Sequence, residues 1–114
     1  MKDNRNIIRA FIKKVWNEKK VELIPNYISQ SYVAHKLGKG GDFKGREDVR
    51  LNVLDCHSKF INFKVTISKM VQEKNLISSW VVLHNGSKIM NEIVIHKIVN
   101  SRIAEAWSIG GNWL

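Results

Sequence analysis

The last third of the chain alternates between apolar runs and turn residues in a way that predicts strands. Asn85-Gly86 separates two such runs, residues 76–83 and 88–98. Asn-Gly is typical of a two-residue hairpin loop, because both of its positions take a positive φ angle. Asn100-Ser101 marks a second reversal of the chain. The pattern therefore predicts three antiparallel strands joined by two hairpins.

Counting residues outward from two-residue loops predicts which side chains share a face of this sheet. The predicted pairs are Val82 with Ile89, Ser79 with Glu92, His96 with Glu105, and Val94 with Trp107. One face then carries Ile77, Ser79, Val81, Met90, Glu92, Val94, His96, Glu105 and Trp107, and the other carries Leu76, Ser78, Trp80, Val82, Ile89, Asn91, Ile93, Ile95, Ala104 and Ala106. Both faces are largely apolar, so both need cover. A bulge at Asn100-Ser101 would instead turn Glu105 and Trp107 over.

Helical periodicity marks the start of the chain. Apolar residues recur at intervals of three and four from Ile7 to Trp16, which predicts an amphipathic helix that ends near Asn17. Asp3 or Asn4 can cap this helix, since a short polar side chain can accept a hydrogen bond from the first free backbone N–H groups.

The next segment reads as a short helix, an extended stretch and a loop. Pro25 is tolerated only in or near a first helical turn, so residues 21–27 are predicted as a short helix. Residues 31–35 are predicted to be extended. Residues 36–44 are predicted to form a mobile loop, because they contain three glycines. These are Gly38, Gly40 and Gly41.

The middle of the chain predicts one more helix and one more strand. A helix over residues 46–57 follows Gly45, and the residues on its apolar side are Val49, Val53 and either Cys56 or Leu54. Residues 60–70 alternate, with Ile61, Phe63, Val65 and Ile67 on one side, as in a half-buried strand. Helices followed by antiparallel strands indicate an α+β fold, and residues 1–114 are predicted to be a single domain.

Composition and charge narrow the class of protein. No window is apolar enough for a membrane span and the N-terminus is polar, so neither membrane insertion nor secretion is expected. Cys56 is the single cysteine, which fits a reducing, cytoplasmic compartment.

The net charge is +9, and Arg5, Arg9 and Lys13 recur four residues apart. We interpret them as a solvated helix face, with an anionic partner as the alternative; nucleic acid is not expected without interleaved aromatic residues.

Four short motifs resemble one known family. They are VWNE at residues 15–18, YVAH at 32–35, GREDVR at 45–50 and RIAEAW at 102–107. Their order and spacing are similar to those of the SnoaL-like polyketide cyclase family of the NTF2-like superfamily. The resemblance implies a cone in which N-terminal helices pack on a curved antiparallel or mixed sheet around a pocket, often in a dimer formed through the outer sheet face. The family supports cyclisation, isomerisation, dehydration, epoxide hydrolysis and plain binding, so the fold does not fix the function.

Two positions depart from the family's pattern. The resemblance places the cyclases' acid/base aspartate at Val94, and the histidine that often precedes the last tryptophan at Ala106. The hairpin segment that often helps to cover the pocket is reduced to residues 84–87. The cyclase chemistry therefore does not carry over to this chain by resemblance alone.

Glu92 and His35 are the candidate catalytic residues. Glu92 lies two residues before Val94 and shares its face, where apolar neighbours should raise the pKa of its carboxyl toward the range of a general acid or base. An ion pair, or a place at the open mouth of the cone, is the structural alternative. His35 follows Tyr32 at the predicted mouth, where it could also move a proton.

The ligand-binding candidates combine aromatic and small polar side chains. The predicted aromatic wall is Trp16, Tyr32, His35 and Trp107, and the other candidates are Ser79, Val94 and His96. Such a wall would suit a flat organic ligand, although the tryptophans can simply fill the core. His96 beside Glu105 could be a proton-transfer unit or, as we favour, a structural pair. The histidines lack ligand spacing, so neither a metal nor a cofactor is expected.

These features leave three hypotheses. We favour a protein that binds a small hydrophobic or aromatic molecule in an internal pocket, with catalysis unproven. The alternatives are an acid–base enzyme of cyclase, isomerase or hydrolase type that uses Glu92 or His35, and a basic adaptor for an anionic partner. The second apolar face is expected to be covered by another copy of the chain through Trp80, Ile93 and Ile95, giving a homodimer.

Overall fold

The computed structural model describes residues 3–38 and 41–114, so Gly40 of the predicted loop lies outside the described residues. Within these residues the helices are α1 (Arg5–Phe11), which continues as a π-helix (Ile12–Asn17), α2 (Ile24–Tyr27), preceded by a 3-10 turn (Val21–Leu23), and α3 (Gly45–Lys59). The strands are β1 (Ile28–Lys36), β2 (Phe43–Lys44), β3 (Lys64–Glu73), β4 (Leu76–Asn85), β5 (Lys88–Val99) and β6 (Arg102–Gly110). The predicted helices and strands are confirmed, and the short strand β2 lies inside the predicted loop. No helix in the described residues is long and apolar enough to cross a bilayer.

The strands form one open, mixed sheet. Their order among the described residues is β2-β1-β6-β5-β4-β3. Strands β1 and β6 run parallel, and the other neighbouring pairs are antiparallel. The helices cover one face, which we call the inner face, and the α+β fold predicted from the sequence is confirmed. The opposite face is called the outer face.

Apolar side chains from the helices and the inner face form one core. Its buried members include Ile8, Phe11 and Val15 of the first helix, Val49 and Val53 of α3, and Ile77, Ile98 and Ile103 of the sheet. Burying one such side chain contributes about 1.5–3 kcal/mol. On α3, Cys56 is half-buried while Leu54 is exposed, so Cys56 belongs to the apolar side.

The first helix begins as predicted but ends in a wide π turn. Asp3, rather than Asn4, accepts a hydrogen bond from the Arg5 N–H at 3.0 Å. At the other end, the side-chain amide of Asn17 donates to the Val65 carbonyl (2.9 Å) and accepts from the Val65 N–H (2.7 Å). These two bonds attach the π-helical end to β3. A π turn of this kind often accompanies a functional site.

The register between β4 and β5 differs from the prediction by two residues. Asn85 pairs with Lys88, so the loop is Gly86-Ser87 rather than Asn85-Gly86. Gly86 has φ +59°, as at the first position of a type II′ turn. The observed pairs are Ser79 with Val94, Val81 with Glu92, and Val82 with Asn91. Because a shift of two preserves the alternation, these side chains keep their predicted faces.

The predicted register between β5 and β6 is wrong by one residue over most of its length. Asn100 and Ser101 form the expected loop, both with positive φ, but a bulge follows at Ala104, which has no partner on β5. The observed pairs are Ile98 with Ile103, Lys97 with Glu105, His96 with Ala106, Ile95 with Trp107, and Val94 with Ser108. A shift of one turns Glu105 and Trp107 to the outer face. The predicted pairs of His96 with Glu105 and of Val94 with Trp107 are therefore wrong.

The third strand begins later than the alternation predicts. Ile61 precedes β3 and is 67% exposed, so it does not share the buried side with Phe63 and Val65. Asn62 has φ +48° and breaks the extended backbone between Ile61 and Phe63. A second bulge, at Ser68, adds curvature to β3 where it pairs with β4.

Candidate functional site

An internal cavity of about 160 Å³ lies between the helices and the inner face of the sheet. An engineered apolar cavity of about 150 Å³ holds a benzene molecule, so this one has room for a single small ring. Its apolar lining includes Trp16, Phe63, Val81, Leu83, Val94 and Ala106, and its polar lining is Tyr32, Lys36, Asn52, Cys56, Glu92, His96 and Ser108.

The cavity has a closed floor and an open mouth. Along β5, the inner-face side chain of His96 is buried, whereas that of Glu92 is half-buried. Along β1, Tyr32 is buried and Lys36 is exposed. Burial therefore decreases in the same direction on two strands of the sheet. The mouth is at the Lys36 end, and the floor is at His96.

Glu92 presents its carboxylate to the cavity. None of the described residues forms a hydrogen bond or an ion pair with it. Gly110 lies opposite on β6, and a Cβ built there would be 3.4 Å from Glu92 Oε2, so the missing side chain leaves space for the carboxylate. Burial raises the pKa of Glu92, and the Lys36 ammonium only partly offsets this. Glu92 therefore has the environment of a general acid or base.

Two further titratable side chains line the cavity in their protonated forms. Burial, reinforced by the Glu92 charge, raises the pKa of the Tyr32 phenol above its ordinary value. Burial also raises the pKa of the Cys56 thiol to about 11. Cys56 Sγ lies 3.8 Å from Asn52 Oδ1, one turn earlier on α3. Tyr32 is thus a hydrogen-bond donor near the carboxylate, and Cys56 is not a thiolate nucleophile at neutral pH.

His96 and Ser79 lie side by side at the floor. Both are buried on the inner face, where Ile77 pairs with His96 and Ser79 follows two residues later. Ser79 Oγ and His96 Nδ1 have no hydrogen-bond partner among the described residues. Burial lowers the pKa of His96 to about 4, so the imidazole is neutral at neutral pH.

His35 and Trp107 lie on the outer face, and their predicted place in the wall of the pocket is wrong. His35 pairs with Trp107 across β1 and β6, and the two rings stack at 5.7 Å. His35 Nε2 lies 2.7 Å from Glu105 Oε2, and its Nδ1 lies 3.4 Å from Asp42 Oδ2. The hydrogen bond to Glu105 raises the pKa of His35. The His–carboxylate pair expected at His96 is therefore formed by His35, outside the cavity.

The remaining predicted ligand-binding residues meet at the cavity, and the helices add others. Trp16, Tyr32, Val94 and His96 line it, and Ser79 lies on the same sheet face, opposite Val94 and diagonal to His96. Sequence reasoning missed Lys36, Asn52 and Phe63. Asn52 could have been found from its spacing of four before Cys56, which places both on one face of α3. Lys36 could have been found from the alternation along β1, which places it on the same face as Tyr32.

Charged surface groups form local pairs rather than one extended site. Arg5 pairs with Asp3 at 3.0 Å, and Glu18 accepts from Lys20 at 3.0 Å and lies 3.8 Å from Lys14. Exposed pairs of this kind contribute little to stability. In residues 3–38 and 41–114 no three His, Cys, Asp or Glu side chains are grouped as a metal site.

Comparisons with known proteins agree on one family and one fold. The family model for SnoaL-like polyketide cyclases matches residues 6–112. No protein of curated function matches the sequence. IdmH, a candidate polyketide cyclase from Streptomyces antibioticus, is 20% identical with a TM-score of 0.80, over 97% of this chain and 94% of that chain.

Two other solved structures are similar in fold at lower identity. A candidate ketosteroid isomerase from Kribbella flavida is 12% identical with a TM-score of 0.80, over 96% of this chain and 78% of that chain. An epoxide hydrolase of the LEH-like type from M. tuberculosis is 11% identical with a TM-score of 0.74, over 95% of this chain and 82% of that chain. These likenesses establish the NTF2-like fold.

Proposed function

Because the chain belongs to the SnoaL-like polyketide cyclase family, we propose that it binds a small, mostly apolar molecule in the cavity between its helices and the inner sheet face. One observation carries this proposal: the cavity is lined mainly by apolar side chains and holds a carboxylate, Glu92, that has no partner among the described residues. A pocket with this lining and a few oriented polar groups is typical of small-molecule sites. The solved relatives bear the names of several enzyme classes, so the fold by itself selects no reaction.

The size of the cavity suggests a direct test of binding. Toluene matches a single-ring volume and carries no polar group, and its binding is measured by NMR titration of the protein's methyl signals. We expect shifts at Val94 and Val81, which line the cavity, and none in the variant Val94→Phe, whose ring fills the space. The matched control is Val71→Phe, at an outer-face position that is 65% exposed. Wild-type protein that gives no shifts at these positions would overturn the proposal.

A second candidate function, acid–base catalysis at the same site, is favoured by the environment of Glu92. A carboxylate whose pKa is raised by burial is a stronger base than one in water. The buried phenol of Tyr32 adds a hydrogen-bond donor in the same cavity, and the Glu92 charge helps to raise the pKa of that phenol. Together they could remove a proton from carbon and stabilise the oxygen on which negative charge develops.

A simple proton-abstraction probe separates catalysis from binding alone. In cyclopentanone dissolved in D2O, a base removes a proton from the carbon next to the carbonyl to give the enolate, and a deuteron from the solvent adds to that carbon, so 1H NMR follows the exchange. We expect turnover by the wild type, rising as pH passes the raised pKa of Glu92, and none by Glu92→Gln. Glu105→Gln, on the outer face, is the control and should keep the rate. Equal rates in wild type and Glu92→Gln would leave binding as the function.

A further inference from the structure

The floor of the cavity has two polar side chains in an otherwise apolar setting. Ser79 is 1% exposed and His96 is 7% exposed, and the buried residues around them include Ile77, Ile98 and Ala106. An apolar residue at either position would suit this core better than a serine or a histidine. Their presence therefore needs an explanation other than packing.

Hydrogen bonding within the described residues does not supply that explanation. Ser79 Oγ and His96 Nδ1 are enclosed atoms without a partner in residues 3–38 and 41–114, and nearly all buried polar atoms in native proteins have one. The ring of His96 lines the cavity, and its other nitrogen, Nε2, is not among the enclosed atoms. Nε2 is therefore the ring nitrogen that a molecule in the cavity can reach.

The positions of the two side chains allow them to satisfy each other. Ser79 is the diagonal neighbour of His96 across β4 and β5, a separation that an imidazole ring can span. For the two to bond, rotation about Cα–Cβ would turn the serine O–H toward Nδ1. If the serine hydroxyl donates to Nδ1, the only unpaired groups that remain on the serine are oxygen lone pairs. If Nδ1–H donates to the serine oxygen instead, the hydroxyl proton has no acceptor. The first arrangement puts the imidazole proton on Nε2.

We propose that His96 donates a hydrogen bond from Nε2 to the carbonyl oxygen of the ligand at the cavity floor, with Ser79 behind the ring holding its proton on that nitrogen. This inference rests on the proposed binding function and names the class of ligand: a small, mostly apolar carbonyl compound that enters oxygen first. Burial keeps the imidazole neutral at neutral pH, because it lowers the pKa of His96 to about 4. An ionised carboxylate would lose its hydration at this depth and find one neutral donor and no positive charge, so the floor favours a neutral carbonyl over it.

The protonation of the ring can be read without any ligand. We expect the imidazole 15N signals of His96 to show a proton on Nε2 in the wild type, and a shift toward the Nδ1–H form in Ser79→Ala. Ser79→Thr keeps the hydroxyl and should restore the wild-type pattern. Ser78→Ala, the adjacent serine on the outer face, is the matched control. A wild-type proton on Nδ1 would overturn the proposal.

Ligand selectivity provides the second readout. Cyclohexanone and methylenecyclohexane share a shape and differ in having C=O or C=CH2. We expect the ratio of their affinities to shift away from the ketone roughly five- to tenfold in Ser79→Ala and in His96→Phe, and to stay constant in Ser78→Ala. The dispersion of the backbone amide signals shows whether each variant is folded, so a lost preference cannot be confused with unfolding.

The possible outcomes separate this inference from the function on which it rests. If both probes bind to the wild type and the ratio is unchanged in the variants, the cavity binds ligands but the floor site is refuted. If neither probe binds, the binding function fails and the floor site fails with it. If Ser79→Ala changes neither the tautomer nor the ratio while a buried water signal disappears, the two side chains hold a structural water and the proposal is wrong.

Discussion

Folding disfavours the ionised form of Glu92, because its carboxylate is buried in the cavity without a partner among the described residues. In the unfolded chain the carboxyl titrates near its ordinary pKa of 4.5, and burial raises the pKa in the folded protein. Between these two pKa values the folded state binds more protons than the unfolded state. The contribution of Glu92 to stability therefore falls as the pH rises through this range.

We expect Glu92→Gln to be more stable than the wild type at pH 7 to 8, by a few degrees in Tm. The gain should disappear below pH 4.5, where the carboxyl is protonated in both states. Thermal unfolding followed by circular dichroism across this range measures the effect, with Glu73→Gln at the exposed end of β3 as the control. A loss of stability at every pH would mean that the carboxylate has a stabilising partner after all. Removal of a functional carboxylate commonly stabilises a protein in this way.

The contribution of His96 to stability is expected to have the opposite dependence on pH. Its ordinary pKa of 6.5 applies in the unfolded chain, and burial lowers the pKa to about 4 in the folded protein. Between these values the unfolded state binds more protons, so stability falls as the pH is lowered, by roughly 3 kcal/mol in total. Urea unfolding at several pH values should show this slope in the wild type and a shallower one in His96→Gln. Equal slopes in the two proteins would contradict a neutral, buried imidazole.

At the level of strands and helices, local alternation was enough to predict the inner face of β4 and β5. Ser79, Glu92 and His96 were assigned correctly to one face, because a shift of two residues does not alter the alternation. The register itself depends on contacts that are distant in sequence. The Gly86 N–H donates to the Ile61 carbonyl at 2.7 Å, and Asn85 Oδ1 accepts from the Ile61 N–H at 2.9 Å. These bonds place Asn85 in the strand, which an Asn-Gly turn signal cannot reveal.

The bulge in β6 was considered only as an alternative at Asn100-Ser101, and its position at Ala104 and the π turn of the first helix could not be predicted for the same reason. Ala104 leaves the ladder where β6 also pairs in parallel with β1, and this pairing is invisible in the local pattern. Trp16 lies in the π-helical segment, where its carbonyl accepts a hydrogen bond from His57 Nε2 at 2.6 Å. The sequence therefore predicted the aromatic residue at the cavity correctly but not the helix type that presents it.

The bulge at Ala104 determines what faces the cavity, so an extra residue beside it gives a test at the level of the strand. Insertion of one alanine after Ala104 would turn Glu105 and Trp107 to the inner face, where a carboxylate would take the place of the buried Ala106. We expect severe destabilisation, of several kcal/mol, and loss of toluene binding. Insertion of one alanine after Gly41, in an exposed loop, lengthens the chain equally and should do neither. A stable variant that still binds toluene would show that a wider bulge in β6 absorbs the extra residue and preserves the inner face.

At the level of the whole molecule, the outer sheet face is an unpaired apolar surface. Trp80, Ile93 and Ile95 are 39%, 44% and 37% exposed, and they lie on the neighbouring strands β4 and β5. An exposed apolar patch of this kind is typical of an interface. We expect two copies to pair through it, with Trp80 near the centre. Sedimentation should show a dimer that Ile93→Glu converts to a monomer, while Leu51→Glu, at an exposed position on α3, leaves it intact.

The net charge predicts how salt affects the pairing of two copies, and this effect is opposite to the one expected for binding to an anionic partner. Each copy carries +9, so pairing two copies brings like charges together. Added salt screens this repulsion and should tighten the dimer through its apolar contacts, whereas it should weaken attachment to an anionic surface. Sedimentation at low and at high salt therefore tests both possibilities. A complex with an acidic partner that dissociates in salt, together with a chain that stays monomeric, would favour the basic adaptor, because the apolar face would then have another occupant.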